Sequence, residues 1–249
     1  MKPLAVQLYC VRDEVAKDVP SSLAAVAEIG YTAIETAGLF TTPAAVWAKA
    51  LADNGLQNVG AHIGMNALHG DAFNATLDNY LAIGCKRLIV PGLGGEYTST
   101  LDGFRLACSR INEIAERAKP FGVSVAFHNH ASEFRPVENK IPMMLMLKCL
   151  TSAVEIQWDL GNTESGGYNC IRCVASTPGR VKTPHAKPFK AGEPSALIGE
   201  DSINWELAVK TCVEVGGAEW FVIEYENTEK YTPFDGIKRC YANFRKYWA

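Results

Sequence analysis

The run Val123-Ser-Val-Ala-Phe-His-Asn-His-Ala-Ser-Glu-Phe134 brings three side chains able to bind a metal, His128, His130 and Glu133, within six positions. It opens as an apolar β-pattern with valines and a phenylalanine, then breaks abruptly into polar residues. Imidazole and carboxylate are the ligands of borderline divalent ions such as zinc, manganese and cobalt. A single histidine here also reads as a core residue bonded to a backbone carbonyl. Packing alone accounts poorly for the whole cluster.

A chain of alternating elements must hold this run in place. Strands are expected at Leu4–Cys10, Tyr31–Thr36, Leu56–Ile63, Arg87–Pro91, Val123–His128, Val154–Asp159, Val181–His185 and Trp220–Glu224. The seventh is interrupted by Pro184, which cannot donate to a sheet. Between and after them, helical patterns cover Pro20–Gly30, Pro43–Asn54, Asp71–Ile83, Gly103–Lys119, Ile141–Leu150, Tyr168–Ala175, Ser202–Val215 and Pro233–Tyr247. Ser21 and Ser22 mark the start of the first helix and Gly30 its end. Eight strand–helix pairs without a linker predict an α/β protein, a single-domain (β/α)8 TIM barrel spanning residues 1–249. The competing doubly wound sheet needs a glycine-rich turn after its first strand, and Tyr9-Cys-Val-Arg-Asp13 offers none.

Composition narrows the functional classes. Of the 249 residues, 48% are hydrophobic and 20% charged, enough for a full core in an ordinary globular protein. A net charge of −3 disfavours nucleic acid as partner. No apolar stretch approaches the ~20 residues of a membrane span, so no membrane partner is expected. The first residues run directly into a strand pattern without a signal-peptide core, which reads as cytoplasmic. Eight cysteines in this context are mostly small core residues. Cys170 and Cys173 have CxxC spacing but lack a second pair, and the inner face of a short helix is their expected place.

In a barrel the chemistry gathers at the carboxyl ends of the strands. Those ends carry Tyr9, Glu35, His62, His128 with Glu133, Asp159, His185 and Glu224. Gln7-Leu-Tyr-Cys-Val-Arg-Asp13, Ile29-Gly-Tyr-Thr-Ala-Ile-Glu35, Phe127-His-Asn-His-Ala-Ser-Glu-Phe134, Gln157-Trp-Asp-Leu-Gly161 and Val222-Ile-Glu-Tyr-Glu226 resemble the sugar phosphate isomerase/epimerase family, with its xylose isomerase-like TIM barrel. The resemblance implies one divalent ion (Mn, Zn, Co or Mg) held by Glu133, Asp159, His185 and Glu224, with His128 as the alternative to Glu133. It also departs from the family pattern. His185-Ala-Lys-Pro-Phe189 stands where relatives read His-Leu-Lys-Asp, and Gly199-Glu-Asp201 where they read Gly-Glu-Gly.

The resemblance further implies a sugar, sugar phosphate or keto-sugar isomerase or epimerase. The ion would stabilise a cis-enediolate, and Glu133 and Glu224 would share the proton transfer as catalytic acid and base. Glu35, His62, His130 and Lys187 would bind substrate. Structural alternatives are a carbonyl bond for His62 and an ion pair with Glu224 or Glu226 for Lys187. The same ligands would serve a keto-sugar dehydratase or 3-keto-glycoside lyase. An abasic-site endonuclease would need more than the five histidines present, and a non-catalytic sugar-binding protein is the remaining class. The expected partners are a small sugar and, in a homo-oligomer, further copies of the chain. Trp158, between Gln157 and Asp159, should point away from the barrel axis and into the helix layer.

Overall fold

The computed structural model describes residues 3–39 and 41–248. Eight short parallel strands alternate with helices: β1 (Leu4–Gln7), β2 (Ala33–Ala37), β3 (Gln57–His62), β4 (Arg87–Val90), β5 (Ser124–His128), β6 (Val154–Gln157), β7 (His185–Ala186) and β8 (Phe221–Ile223). They pair in the order β6-β5-β4-β3-β2-β1-β8-β7. An isolated parallel bridge between Asp159 and His185 brings the two edges together, with His185 N–H donating to Trp158 O at 2.9 Å. The result is the expected (β/α)8 barrel, nearly closed at one seam. Its strands are buried on both faces, so they read as apolar runs rather than as an alternation.

Several boundaries differ from the sequence reading, each for a local reason. β1 stops at Gln7 because the Gln7 side chain accepts from Tyr9 N–H and starts a 3-10 turn, Leu8–Val11. A short helix, Arg12–Lys17, precedes the first predicted one, which begins at Val19. Asp18, not Ser21 or Ser22, caps that helix, and it ends at Gly30 in the left-handed conformation (φ 112°) that glycine adopts without cost. β7 is only two residues long and begins one residue after Pro184. The helix expected over Ser202–Val215 runs as Trp205–Thr211 and finishes in a π-helical turn, Cys212–Gly216.

A break in register between β2 and β3 bears directly on the site. Ile34 pairs with Asn58 but Glu35 pairs with Gly60, so Val59 is an extra residue in β3. Such a bulge re-aims side chains, and here it sets a glycine opposite Glu35. A Cβ at Gly60 would lie 2.8 Å from Glu35 Oε2 and 2.7 Å from Ile89 Cδ1. Only glycine leaves room for the carboxylate inside the barrel.

Trp158 lies where alternation puts it. It is fully buried, its indole N–H donates to Thr177 Oγ1 at 2.8 Å, and it stacks 6.4 Å from Phe134. Gln157 and Asp159 on either side turn towards the polar interior. Cys170 and Cys173 are buried free thiols in the helix Cys170–Ala175, and burial raises both, Cys173 to about 11. Trp158→Phe should therefore cost about 1–3 kcal/mol in a denaturant titration, through lost volume and an unpaired Thr177 hydroxyl. Activity per folded molecule should stay unchanged; a raised KM at wild-type stability would mean that the indole faces substrate.

Candidate metal and substrate site

Glu35 anchors the polar interior. It is fully buried in the middle of β2, accepts N–H bonds from three side chains and lies against the imidazole of a fourth. Oε1 takes Gln7 Nε2 at 2.7 Å and His185 Nε2 at 2.6 Å and lies 3.0 Å from His62 Nε2, while Oε2 takes Gln157 Nε2 at 2.6 Å. Burial alone would raise its pKa, but His185 and His62 outweigh it and hold the carboxyl far below the usual range. Glu35 is thus an ionised carboxylate beneath the histidines. Its oxygens are taken up by protein groups, so it does not face the opening as the sequence reading had it.

Those bonds decide how the imidazoles present themselves. His185 Nε2 addresses Glu35, which directs Nδ1 towards Glu224 Oε2, its hydrogen-bond partner, and towards Asp159 Oδ2 at 3.9 Å. Between two carboxylates the ring is pushed up to about 10: burial opposes the charge, but Glu35 and then Glu224 prevail. His128 behaves oppositely. It is buried, its Nδ1 meets Gln157 Oε1 at 3.1 Å, and burial together with the neighbouring His185 and His62 keeps it well below the normal histidine value. With Nδ1 donating to the amide oxygen, Nε2 of a neutral His128 is a free lone pair. His62 shares the same amide oxygen at 2.8 Å and stacks on His185 at 5.3 Å between ring centres.

The ligand-capable atoms of His128, Asp159, His185 and Glu224 all lie within 4.8 Å of one another, and all four residues are buried. Asp159 Oδ2 is buried with no hydrogen-bond partner, and burial pushes this carboxyl up to about 6. An orphaned buried carboxylate oxygen beside two imidazoles and a second carboxylate is the donor set of a divalent cation, whose charge two carboxylates balance. These residues fit a metal ion. The other oxygen of Asp159 caps the helix Leu160–Ser165 through Asn162 N–H at 2.6 Å. Its backbone N–H is held by Asn129 Oδ1 at 2.9 Å.

Glu133 is not brought into this group. After β5 the chain turns into a 3-10 segment, Ala131–Phe134, and Glu133 folds back to cap it. Its Oε2 accepts His130 N–H at 2.5 Å and its Oε1 accepts the Ser132 hydroxyl at 2.8 Å. His128, the strand residue, occupies the place beside Asp159 and His185.

Above the cluster opens a cavity of 680 Å³, with His62, His128, His130, Asn162, Lys187, Glu224 and Glu226 among its walls. Lys187 Nζ bridges Glu224 Oε1 at 3.0 Å and Glu226 Oε1 at 2.6 Å. Although burial opposes it, Glu224, Asp159 and Glu226 hold the ammonium well above its usual range. Glu224, raised by burial but outweighed by Lys187 and His185, lies well below the normal carboxylate value. Glu226 is pushed up to about 7 by its hydrogen bond with Glu224 and by burial. The sequence reading brought Asp159, His185, Glu224, His62, His130 and Lys187 to this mouth, and the structure gathers them there. It missed the neutral amides Gln7, Gln157 and Asn129. Their only sequence signal was their place at or beside strand ends.

The sequence matches the family model for the xylose isomerase-like TIM barrel over residues 23–246, and the chain belongs to that family. Among solved structures it is similar to two sugar phosphate isomerase/epimerases from Parabacteroides distasonis. One is 22% identical with a TM-score of 0.84, covering 97% of this chain and 92% of that one. The other is 25% identical at 0.83, covering 96% of each. An L-ribulose 3-epimerase shares the fold at 14% identity and a TM-score of 0.71, over 100% of this chain and 96% of that one. No curated protein matches the sequence.

Glu35→Gln would turn an amide N–H₂ towards the donors that now share Glu35. Divalent-metal affinity should fall about 10- to 100-fold, as when an outer partner of a ligating histidine is lost. Calorimetric titration with manganese checks this; wild-type affinity would show that Glu35 does not orient the histidines.

Proposed function

We propose that this chain is a divalent-metal-dependent sugar isomerase or epimerase whose ion is held by His128, Asp159, His185 and Glu224. The observation that carries the reading is the orphaned Asp159 Oδ2 within a buried group of two imidazoles and two carboxylates, directly beneath the cavity. An ion bound there would supply Lewis acidity towards the neighbouring carbonyl and hydroxyl oxygens of a sugar. The family and the sugar isomerase/epimerase neighbours support the same class.

The chain's own residues supply the rest of the chemistry. Glu224 and Glu226 both follow β8 and approach the cavity from one side, joined by Lys187. A carboxylate there can take a proton from a carbon next to a carbonyl and return it to the adjacent carbon along the same face, which is a 1,2-isomerisation. Epimerisation needs a donor on the opposite face. The imidazoles of His130 and His62 are the groups available for that, because Glu133 is committed to its own turn. Lys187 donates hydrogen bonds to substrate oxygens and keeps the two carboxylates from repelling each other. The proposed substrate is a small keto- or aldo-sugar, which a cavity of 680 Å³ accommodates.

Asp159→Ala should lose the metal, since no neighbouring ligand can swing into its place; full occupancy by elemental analysis would refute the ligand set. With metal present, the wild type should catalyse deuterium exchange at the α-carbon of at least one sugar in an NMR screen. Absence of exchange across keto- and aldo-sugars would favour a binding protein. Glu224→Gln should lower turnover by about 10²-fold or more, and near-normal turnover in the metal-loaded variant would remove Glu224 from the proton transfer.

A further inference from the structure

We propose that Asn129 and Thr163 are positioning residues for Asp159, locking its backbone so that its free carboxylate oxygen is aimed at the ion before the ion binds. This rests on the ligand set proposed above and gives a function to the asparagine between His128 and His130.

β5 and β6 pair as far as His128 opposite Gln157, and the ladder stops there. Asn129 carries the connection one step further with its side chain. Its Oδ1 accepts the backbone N–H of Asp159 at 2.9 Å, and its Nδ2 donates to Thr163 Oγ1 at 3.1 Å. Thr163 Oγ1 in turn donates to the carbonyl of Asp159 at 2.7 Å. The bonds close a ring through Asp159, Asn129 and Thr163, none of which reaches solvent. Asn129 thus turns to β6, while its neighbours His128 and His130 line the cavity, as strand alternation requires.

The ring also decides which way the amide points and why an amide is needed. The single hydroxyl proton of Thr163 goes to Asp159, so the Thr163 oxygen faces Asn129 as an acceptor. Only an N–H₂ answers it. An ionised aspartate in the place of Asn129 could hold the Asp159 N–H, but it would set oxygen against oxygen in a dry interior, where unmatched polar groups are costly.

With the ring closed, every polar atom of Asp159 but one is engaged. Asn162 N–H donates to Oδ1 at 2.6 Å, Thr163 N–H joins its hydroxyl on the carbonyl at 3.0 Å, and Oδ2 alone is left. Across the seam Asp159 meets only the two-residue β7, through an isolated bridge, so the sheet does little to hold it on that side. A ligand whose direction is set beforehand needs no reorganisation when the ion arrives. A clamp that merely closed the sheet would add stability and leave the ion's surroundings unaffected.

Calorimetric titration with manganese and the visible absorption of the cobalt-loaded protein separate the two, and neither needs turnover. Asn129→Ala should lower manganese affinity about 10- to 100-fold and shift the cobalt bands. Thr163→Val opens the ring at another corner and should act in the same direction. Thr163→Ser keeps the hydroxyl and should stay within about twofold of wild type. Asn129→Ala combined with Thr163→Val should cost little more than either alone, because each opens the same ring. Trp205→Phe, which loses the indole bond to Asp201 at 2.7 Å, is the stability control. It should lower the melting temperature with affinity and cobalt bands unchanged. Wild-type affinity and bands in Asn129→Ala, effects of the two substitutions that multiply, or an equal affinity loss in Trp205→Phe would each overturn the proposal. If Asn129→Ala does not fold, Thr163→Val carries the test, and wild-type affinity there overturns it equally. A wild type that binds no manganese would refute the ligand set and this assignment with it, whereas wild-type affinity in the variants refutes this assignment alone.

Discussion

The ionised carboxylate of Glu35, sealed inside the barrel, is the constraint on which the rest of the site depends. Removing a carboxylate from water costs several kcal/mol unless its oxygens are matched by donors. Here Gln7, Gln157 and His185 donate N–H groups and the His62 imidazole lies 3.0 Å away, from four different strands or strand ends. Each bond stabilises the charge and in return fixes the donor. His185 is thereby committed to show Nδ1 to Asp159 and Glu224. Gln157, with its N–H₂ held by Glu35 and Thr183, must show its oxygen to His62 and His128. The β3 bulge and Gly60 belong to the same device, since any larger residue would occupy the space of Oε2.

Electrostatics divides the barrel mouth into two zones. On one side the buried cluster has a carboxylate oxygen without a partner and a histidine kept neutral by burial, which is the environment a dication completes. On the other, Lys187 compensates Glu224 and Glu226 directly at the cavity wall. Glu224 belongs to both zones, with Oε2 on His185 and Oε1 on Lys187. It therefore links the proposed ion to Lys187, the proposed substrate contact, and substitutions at either neighbour should be felt by the other.

Much of this architecture could be read from the chain. The recurrence of apolar strands and helical patterns predicts the barrel, and polar residues at the carboxyl ends of those strands point to Asp159, His185 and Glu224. What spacing cannot resolve is which of His128 and Glu133 faces the axis. Both lie at the end of β5, but the 3-10 turn beginning at Ala131 carries Glu133 away, and its own N-cap contacts retain it. Glu35 reads as a substrate contact because it ends a strand. Its depth depends on a one-residue bulge in the neighbouring strand, which no pattern in residues 33–37 encodes. Gln7, Gln157 and Asn129 escape a search for charged or titratable groups because they act through amide dipoles. The two-residue β7 starts directly after Pro184, which has no N–H to donate and takes part only through its carbonyl, accepting Val222 N–H at 3.1 Å.

X-ray absorption at the metal edge of the protein loaded with one equivalent of zinc or manganese tests the central claim most directly, because scattering from an imidazole ring is distinct from that of a carboxylate. The ligand set of His128, Asp159, His185 and Glu224 predicts two imidazoles and two carboxylates per ion, falling to one imidazole in His128→Ala. A wild-type spectrum with a single imidazole, unchanged in His128→Ala, would contradict it.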